Sequence, residues 1–143
     1  MRAQTLSAGG IDVRLLFQGE RLHSVQLPEL PPASFDAVAL LSVLGELERH
    51  ILDMDNASPF CRLAWESMRR IPAGSAATYS EIAESMGNPR AVRAVGHACA
   101  TNRLLLVVPC HRILASNGLG GFRLGLPWKQ RLLELESEFA DLR

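Results

Sequence analysis

The sequence predicts an α+β protein in which a small N-terminal β-hairpin/helix unit precedes a mainly helical domain containing a helix-turn-helix. Three observations carry this expectation. The clearest strand pair lies near the start, at residues 11–27. From residue 58 onward, helix start and stop signals divide the chain. Two of the helices they delimit are short and joined by a glycine-containing turn. The whole is 143 residues, one ordinary domain or two very small ones, and we expect a boundary that separates 1–56 from 57–143.

In the hairpin, Ile11 to Phe17 is strand-like, Gln18-Gly19-Glu20 supplies the turn, and Leu22 to Leu27 returns. Pro28, Pro31 and Pro32 stop the ladder. Ser34 is the expected cap of a helix running to about Leu52, with Val38, Leu41, Leu44, Leu47 and Ile51 at helical spacing. Asp53 to Ala57 is polar and reads as a linker.

Ser58-Pro59 opens the next helix, whose stripe is Cys61, Trp65 and Met68, and Pro72 and Gly74 end it. Thr78-Tyr79-Ser80-Glu81 is a capping box, and Gly87 is a left-handed stop. Asn88-Pro89 is expected to cap a third helix running to about Ala100. On it, Val92, Val95 and Cys99 suit a core, Arg90, Arg93 and His97 form a basic face, and Ala91, Ala94 and Ala98 form a face small enough for a phosphate chain to approach. Leu104 to Val108 reads as a buried strand or extended segment, and Asn117, Gly118, Gly120 and Gly121 as a flexible loop. Trp128, Leu132, Leu135 and Phe139 mark the last helix.

Composition narrows the function. The chain is 48% hydrophobic and 21% charged, so it can bury a core. No apolar run reaches the roughly 18–20 residues of a membrane helix, and Met1-Arg2-Ala3-Gln4 leads into no apolar stretch of a secretion signal. Three cysteines without paired spacing argue against a disulfide scaffold and for a reducing, cytoplasmic setting. The net charge of zero hides an asymmetry: residues 1–56 carry four basic and eight acidic side chains, residues 57–143 eleven and seven. Within 62–131 there are ten basic residues against Glu66, Glu81 and Glu84, an excess that favours a polyanion or forms a solvated basic face.

Cys110 is the thiol with chemical surroundings, since Pro109 fixes its backbone and His111 and Arg112 adjoin it. A thiol with pKa ~8.5 is mostly protonated at neutral pH, and a nearby base or cation raises the reactive fraction. Alone, a Cys-His pair says little. Cys61 and Cys99 read as small core residues. His97, Cys99, Cys110 and His111 lack the spacing of a zinc clamp, and no phosphate-binding glycine loop occurs, so neither metal nor cofactor is expected.

In order, the chain carries Ile71-Pro72-Ala73-Gly74, Thr78-Tyr79-Ser80, the run Gly87 to Gly96, Thr101-Asn102, Val107 to Arg112, Gly121-Phe122-Arg123 and Lys129 to Glu136. Together these resemble the catalytic domain of the O6-alkylguanine-DNA alkyltransferases, suicide DNA-repair proteins also called methylated-DNA–protein-cysteine methyltransferases, over about residues 58–137. The resemblance implies that Cys110 takes the alkyl group from guanine oxygen in double-stranded DNA. It further implies that His111 deprotonates Cys110 through a bridging water, that Glu136 orients His111, that Asn102 organises the loop, and that Tyr79 donates to the leaving guanine. Arg93 would fill the gap left by an extruded base, with the helix-turn-helix in the minor groove. Tyr79, Ser80, Asn88, Arg90, Ala94 and Ser116 would touch DNA beside it. Val108, Pro109, Ile113, Phe122 and Arg123 would line the pocket, and the protein would act as a monomer.

The residue types suit that chemistry. Displacement at a saturated carbon needs a soft nucleophile, which a thiolate is, and a departing guanine anion needs a proton donor. A target hidden in the stack must be flipped out at a cost of a few kcal/mol.

The N-terminal unit looks shorter and more acidic than is usual for the family, which implies a truncated companion αβ domain. Arg103 stands where the family pattern has proline and is expected to add charge near the reactive loop, and Pro127-Trp128 to alter only how the last helix starts. Two other readings remain: a protein that binds alkylguanine lesions without transfer, and a helix-turn-helix regulator that senses alkylation.

Overall fold

Alternation along Ile11, Val13, Leu15 and Phe17 turns four apolar side chains to one face, and this run is strand β2 (Ile11–Gln18) of the computed structural model, which describes residues 1–142. Arg143, the last residue of the expected second domain, lies outside the described residues. β3 (Arg21–Gln26) returns antiparallel through a turn at Gly19, where φ is +62°. A further strand, β1 (Arg2–Ala8), pairs with the other edge of β2. Sequence reading missed β1 because its side chains are mostly exposed and carry no apolar alternation.

Helix α1 (Ala37–Leu47) starts later than expected and is shorter. Its cap is Asp36, whose carboxylate accepts from Ala39 N at 2.9 Å, while the expected cap, Ser34, donates its hydroxyl to Gly9 O. The buried face is Ala37, Leu40, Val43 and Leu47; Val38, Leu41 and Ile51 of the expected stripe face solvent. α1 is apolar nearly all round, so spacing alone offered two stripes and packing against the sheet selected the other. The segment read as a linker is built into the fold. Leu22 N donates to Ile51 O and Asp53 N to Leu22 O, both at 2.8 Å, and Asp53 is buried 2.8 Å from His23 Nδ1.

α2 (Pro59–Arg69) begins as predicted, with Ser58 Oγ accepting from Cys61 N. Trp65 and Met68 are buried, and Trp65 Nε1 donates to Ala98 O at 2.9 Å. The two-residue strand β4 (Ala77–Thr78) leads into α3 (Tyr79–Ser85) through the expected capping box, with bonds of 3.0 and 3.1 Å, and Gly87 follows with φ +75°. α4 (Val92–Ala100) starts later than predicted. Asn88 and Pro89 belong to a turn closed by Ala91 N to Asn88 O, so they do not cap the helix. Ala91, Val95 and Ala98 form its core face, while Val92 and Ala94 are exposed, so the three alanines do not form one outward surface.

The stretch from Leu104 to Val108 is buried as expected but is a tight turn with no strand. Val108 N donates back to Leu104 O, and Leu106 takes φ +71°, the one non-glycine residue in that region among those described. Such a conformation costs about 1–2 kcal/mol and persists where surrounding packing over-determines it. β5 (Ile113–Leu114) then pairs parallel to β4. α5 (Leu126–Ser137) carries Trp128, Leu132 and Leu135 inward, with Phe139 buried just beyond. Trp128 does more than shape a helix start: its Nε1 donates to Pro28 O at 2.8 Å and its ring stands edge-on to Phe35 at 5.6 Å. The result is a mixed α/β protein whose apolar core runs continuously from the three-stranded sheet to α5. Among the described residues no helix is long and apolar enough to cross a membrane.

Replacing Trp128 with Phe removes the bond to Pro28 and leaves unfilled volume, so unfolding in urea is expected to show a loss of roughly 1–3 kcal/mol. A loss under about 0.5 kcal/mol would return Trp128 to the minor role its sequence position suggested.

Candidate active site

Cys110 begins a single 3-10 turn, Cys110–Arg112, set up by Pro109 and closed by Arg112 N to Pro109 O at 2.9 Å. Cys110 is 3% exposed and lies on the wall of a cavity of about 270 Å³. Burial pushes its thiol above the ordinary value, opposed by a hydrogen bond from Asn102 Nδ2 to Sγ at 3.2 Å. Asn102 is itself fully buried. Its Nδ2 also donates to Val108 O, and its Oδ1 accepts from Leu104 N, both at 2.9 Å. One side chain therefore pins both ends of the strained 104–108 turn and touches the sulfur.

Behind the thiol lies a buried charge relay. His111 Nε2 is 3.1 Å from Glu136 Oε2. Arg112 grips the same carboxylate with both ends of its fork, Nε to Oε1 at 2.9 Å and Nη2 to Oε2 at 2.6 Å, and its Nη1 donates to Ile71 O. Burial opposes ionisation of Glu136, but bonds from Arg112 and His111 outweigh it and hold the carboxyl down at about 2. Burial lowers the pKa of His111, so the ring is neutral near pH 7. A carboxylate facing Nε2 requires the proton there. That leaves Nδ1 as an acceptor, and it is buried with no partner among the described residues.

The cavity is lined by Tyr79 from α3, by Gly96, Cys99 and Ala100 from α4, and by Cys110, Gly121, Phe122 and Arg123. Burial raises the pKa of the Tyr79 phenol, keeping it a donor. A Cβ on Gly120 would stand 3.3 Å from the Tyr79 ring, and φ there is +71°, so the loop against Tyr79 requires glycine. Arg123 crosses from this loop to donate to Asn102 O at 2.9 Å.

The structure thus brings together Cys110, His111, Glu136, Asn102, Tyr79, Phe122 and Arg123. It does not bring Val108, Pro109 and Ile113 to the cavity. Val108 and Ile113 are fully buried in the core, and Pro109 faces a separate groove beside Ile71 and Leu106. Ser80, Asn88, Arg90, Arg93, Ala94 and Ser116 are all exposed. Arg93 precedes Gly96 and Ala100 at helical spacing, so it continues the face of α4 that lines the cavity.

Sequence reading missed several contributors. Arg112 and Lys129 were counted into a basic surface, yet both are buried. Lys129 Nζ donates to Ile113 O at 2.6 Å and Gly121 O at 2.9 Å, joining β5 to the cavity loop, and burial lowers its pKa. Cys61 and Cys99 are only partly buried, and Cys99 faces the cavity, where desolvation raises its pKa to about 12. Among the described residues no cluster of His, Cys, Asp and Glu could hold a metal ion.

A family model described as "6-O-methylguanine DNA methyltransferase, DNA binding domain" matches residues 59–138. A probable methylated-DNA–protein-cysteine methyltransferase of Acanthamoeba polyphaga mimivirus is 44% identical over 88 residues, 61% of this chain and 59% of that protein. The bifunctional transcriptional activator/DNA repair enzyme Ada of Escherichia coli strain K12 is 42% identical over 145 residues, 92% of this chain and 41% of that one. The chain spans less than two thirds of the length of either. The solved structure of Mycobacterium tuberculosis OGT in complex with DNA matches at TM-score 0.76 and 30% identity, over 95% of this chain and 92% of that one.

Glu136→Gln would leave the buried Arg112 without its counter-ion, and urea unfolding at pH 7 is expected to show a loss of about 3–5 kcal/mol. The folded carboxyl ionises at about 2 against an ordinary 4.5, so its stabilisation is present above 4.5 and fades as pH falls toward 2. The gap between wild type and variant should narrow over that window; a gap independent of pH would contradict the pairing.

Proposed function

The chain belongs to the methylated-DNA–protein-cysteine methyltransferase family, and we propose that it repairs double-stranded DNA by moving an alkyl group from O6 of guanine to Cys110, once per molecule. The observation that carries this reading is the buried Cys110 thiol on the wall of a cavity shared with Tyr79, backed by the Arg112–Glu136–His111 relay.

The resting thiol is protonated, so the reaction begins with a proton passing from Sγ, through a bridging water, to Nδ1 of His111. Glu136 stabilises the imidazolium that results. The thiolate, steadied by the Asn102 carboxamide, attacks the alkyl carbon. The carbon–O6 bond breaks, its electron pair goes to guanine, and Tyr79 supplies the ring with a hydrogen bond or proton. The product is a thioether, which water does not cleave, so the protein is spent.

The same reading extends to DNA engagement. α3 and α4, joined by the turn at Gly87, serve as the helix-turn-helix, presented to the minor groove. Arg93 occupies the position of the extruded base, with Tyr79, Ser80, Asn88, Arg90, Ala94 and Ser116 along the backbone. Residues 57–143 form the catalytic and DNA-binding domain, and 1–56 its small companion. The protein works as a monomer, without metal or cofactor, in the reducing cytoplasm.

Incubation with a duplex carrying O6-methylguanine is expected to add one methyl group per chain, mapped to Cys110 by peptide mass. Cys110→Ala should abolish the gain while retaining lesion binding. Lesion binding by wild type without mass gain would favour the non-transferring binder, and sequence-specific footprints on undamaged DNA the regulator. Arg93→Ala should slow transfer from duplex DNA about tenfold or more and leave Cys110 reactivity toward iodoacetamide unchanged. Equal duplex rates would remove Arg93 from the flipping step. Binding should weaken as salt rises, with little sequence preference.

A further inference from the structure

Arg103 is unused by the chemistry above, yet it follows Asn102 directly and reaches away from the cavity. The expectation that it adds charge near the reactive loop is not met. Its Nη1 donates to two main-chain oxygens of the N-terminal segment, His23 O in β3 and Asp53 O, both at 2.9 Å. Its carbonyl accepts from Val25 N, also at 2.9 Å. The guanidinium lies 5.6 Å from the ring centroid of Trp65 in α2. Asp53, in turn, is fixed by His23. Residue 103 is therefore held at two points, through its carbonyl and through its side chain, by β3 and the segment after α1.

Asn102 adjoins that anchorage. On its other side its amide donates to Cys99 O, in the last turn of α4, at 3.2 Å. Its carboxamide must nevertheless aim at three atoms, Val108 O, Leu104 N and Cys110 Sγ. Hydrogen bonds weaken steeply as they leave their preferred direction. Val25 N on Arg103 O and Arg123 Nη1 on Asn102 O hold the main chain on either side of residue 103; Nη1 of Arg103 adds the tie to β3 and Asp53.

We infer that Arg103 is a positioning residue for Cys110: by clamping residue 103 to β3 and Asp53 it aims the Asn102 carboxamide at the thiol, and so brings the N-terminal segment into the reaction. This rests on the reading of Cys110 as the alkyl acceptor.

Arg103→Met keeps the apolar stem and removes the donors. Methyl transfer from an O6-methylguanine duplex is expected to slow about tenfold. The pH midpoint for alkylation of Cys110 by iodoacetamide, read by peptide mass, should rise by about one unit as the thiolate loses its donor. The side chains of the other groups facing Cys110, namely Cys99, Tyr79, Arg123 and Lys129, make no bond to Arg103, and Arg123 is itself held at Asn102 O. Arg103→Lys should recover part of both effects. In an Asn102→Ala background, Arg103→Met should add less than about twofold, because its route to the sulfur is already cut. A transfer rate within about twofold of wild type with an unmoved midpoint, or full additivity with Asn102→Ala, would overturn the inference. Should Arg103→Met fail to fold, Arg103→Lys decides: a two- to fivefold loss is expected on the order of one lost hydrogen bond, and a wild-type rate refutes it. If wild type gains no methyl at all, the alkyl-transfer reading falls, and the iodoacetamide midpoints still judge the clamp.

Discussion

A carboxylate buried between a guanidinium and an imidazole is the interaction on which the rest of this structure depends. Glu136 is 2% exposed, and an ion so placed is tolerated only when its oxygens are paired. Arg112 occupies both oxygens and spends its remaining contact on Ile71 O, just after α2. The network thus fixes α5, the 3-10 turn and the end of α2 against one another. It also decides the tautomer of His111, because only a proton on Nε2 suits the facing carboxylate. Fold and chemistry share the same three side chains, so a change to one cannot be confined to the other.

The thiol is governed by a second buried polar group of opposite character. Asn102 is neutral and fully satisfied, and it stabilises a turn that the backbone would not adopt alone, with Leu106 in the left-handed region. The apolar side chains of 104–108 make that strain affordable, since Leu104, Leu105, Leu106 and Val108 are all within the core. The turn and the carboxamide hold Cys110 at the cavity wall, where burial raises its pKa against the Asn102 hydrogen bond.

Features decided within a few residues were legible in the sequence. The Thr78–Glu81 box, Ser58 before Pro59, and Gly87 as a stop depend on local backbone geometry, and each stands where it was read. Features decided by tertiary packing were not. Ser34 and Asp36 are equally good caps in isolation, and the choice fell to Asp36 because Ser34 is drawn to Gly9. Lysine and arginine read as surface residues by default, so nothing local announced that Lys129 and Arg112 would find carbonyl and carboxylate partners inside. Cys110, His111 and Glu136 emerged through the family pattern, whereas Cys99, Gly96 and Ala100 at the cavity could be placed only once α4 had an orientation.

Under the proposed single transfer, the burial and raised pKa of Cys110 have a physical logic. A thiolate exposed to solvent would be alkylated or oxidised at random, and for a protein that reacts once each such event is a complete loss. Burial favours the protonated thiol, and the buried Nδ1 of His111 is the acceptor that the proposed step would use. The cavity lining includes Gly96 and Ala100, on the same face of α4 as Arg93. The surface that would meet DNA is therefore continuous with the space that would receive the base. Under that proposal recognition and reaction share one helix, since the face of α4 that carries Arg93 also lines the space beside the sulfur.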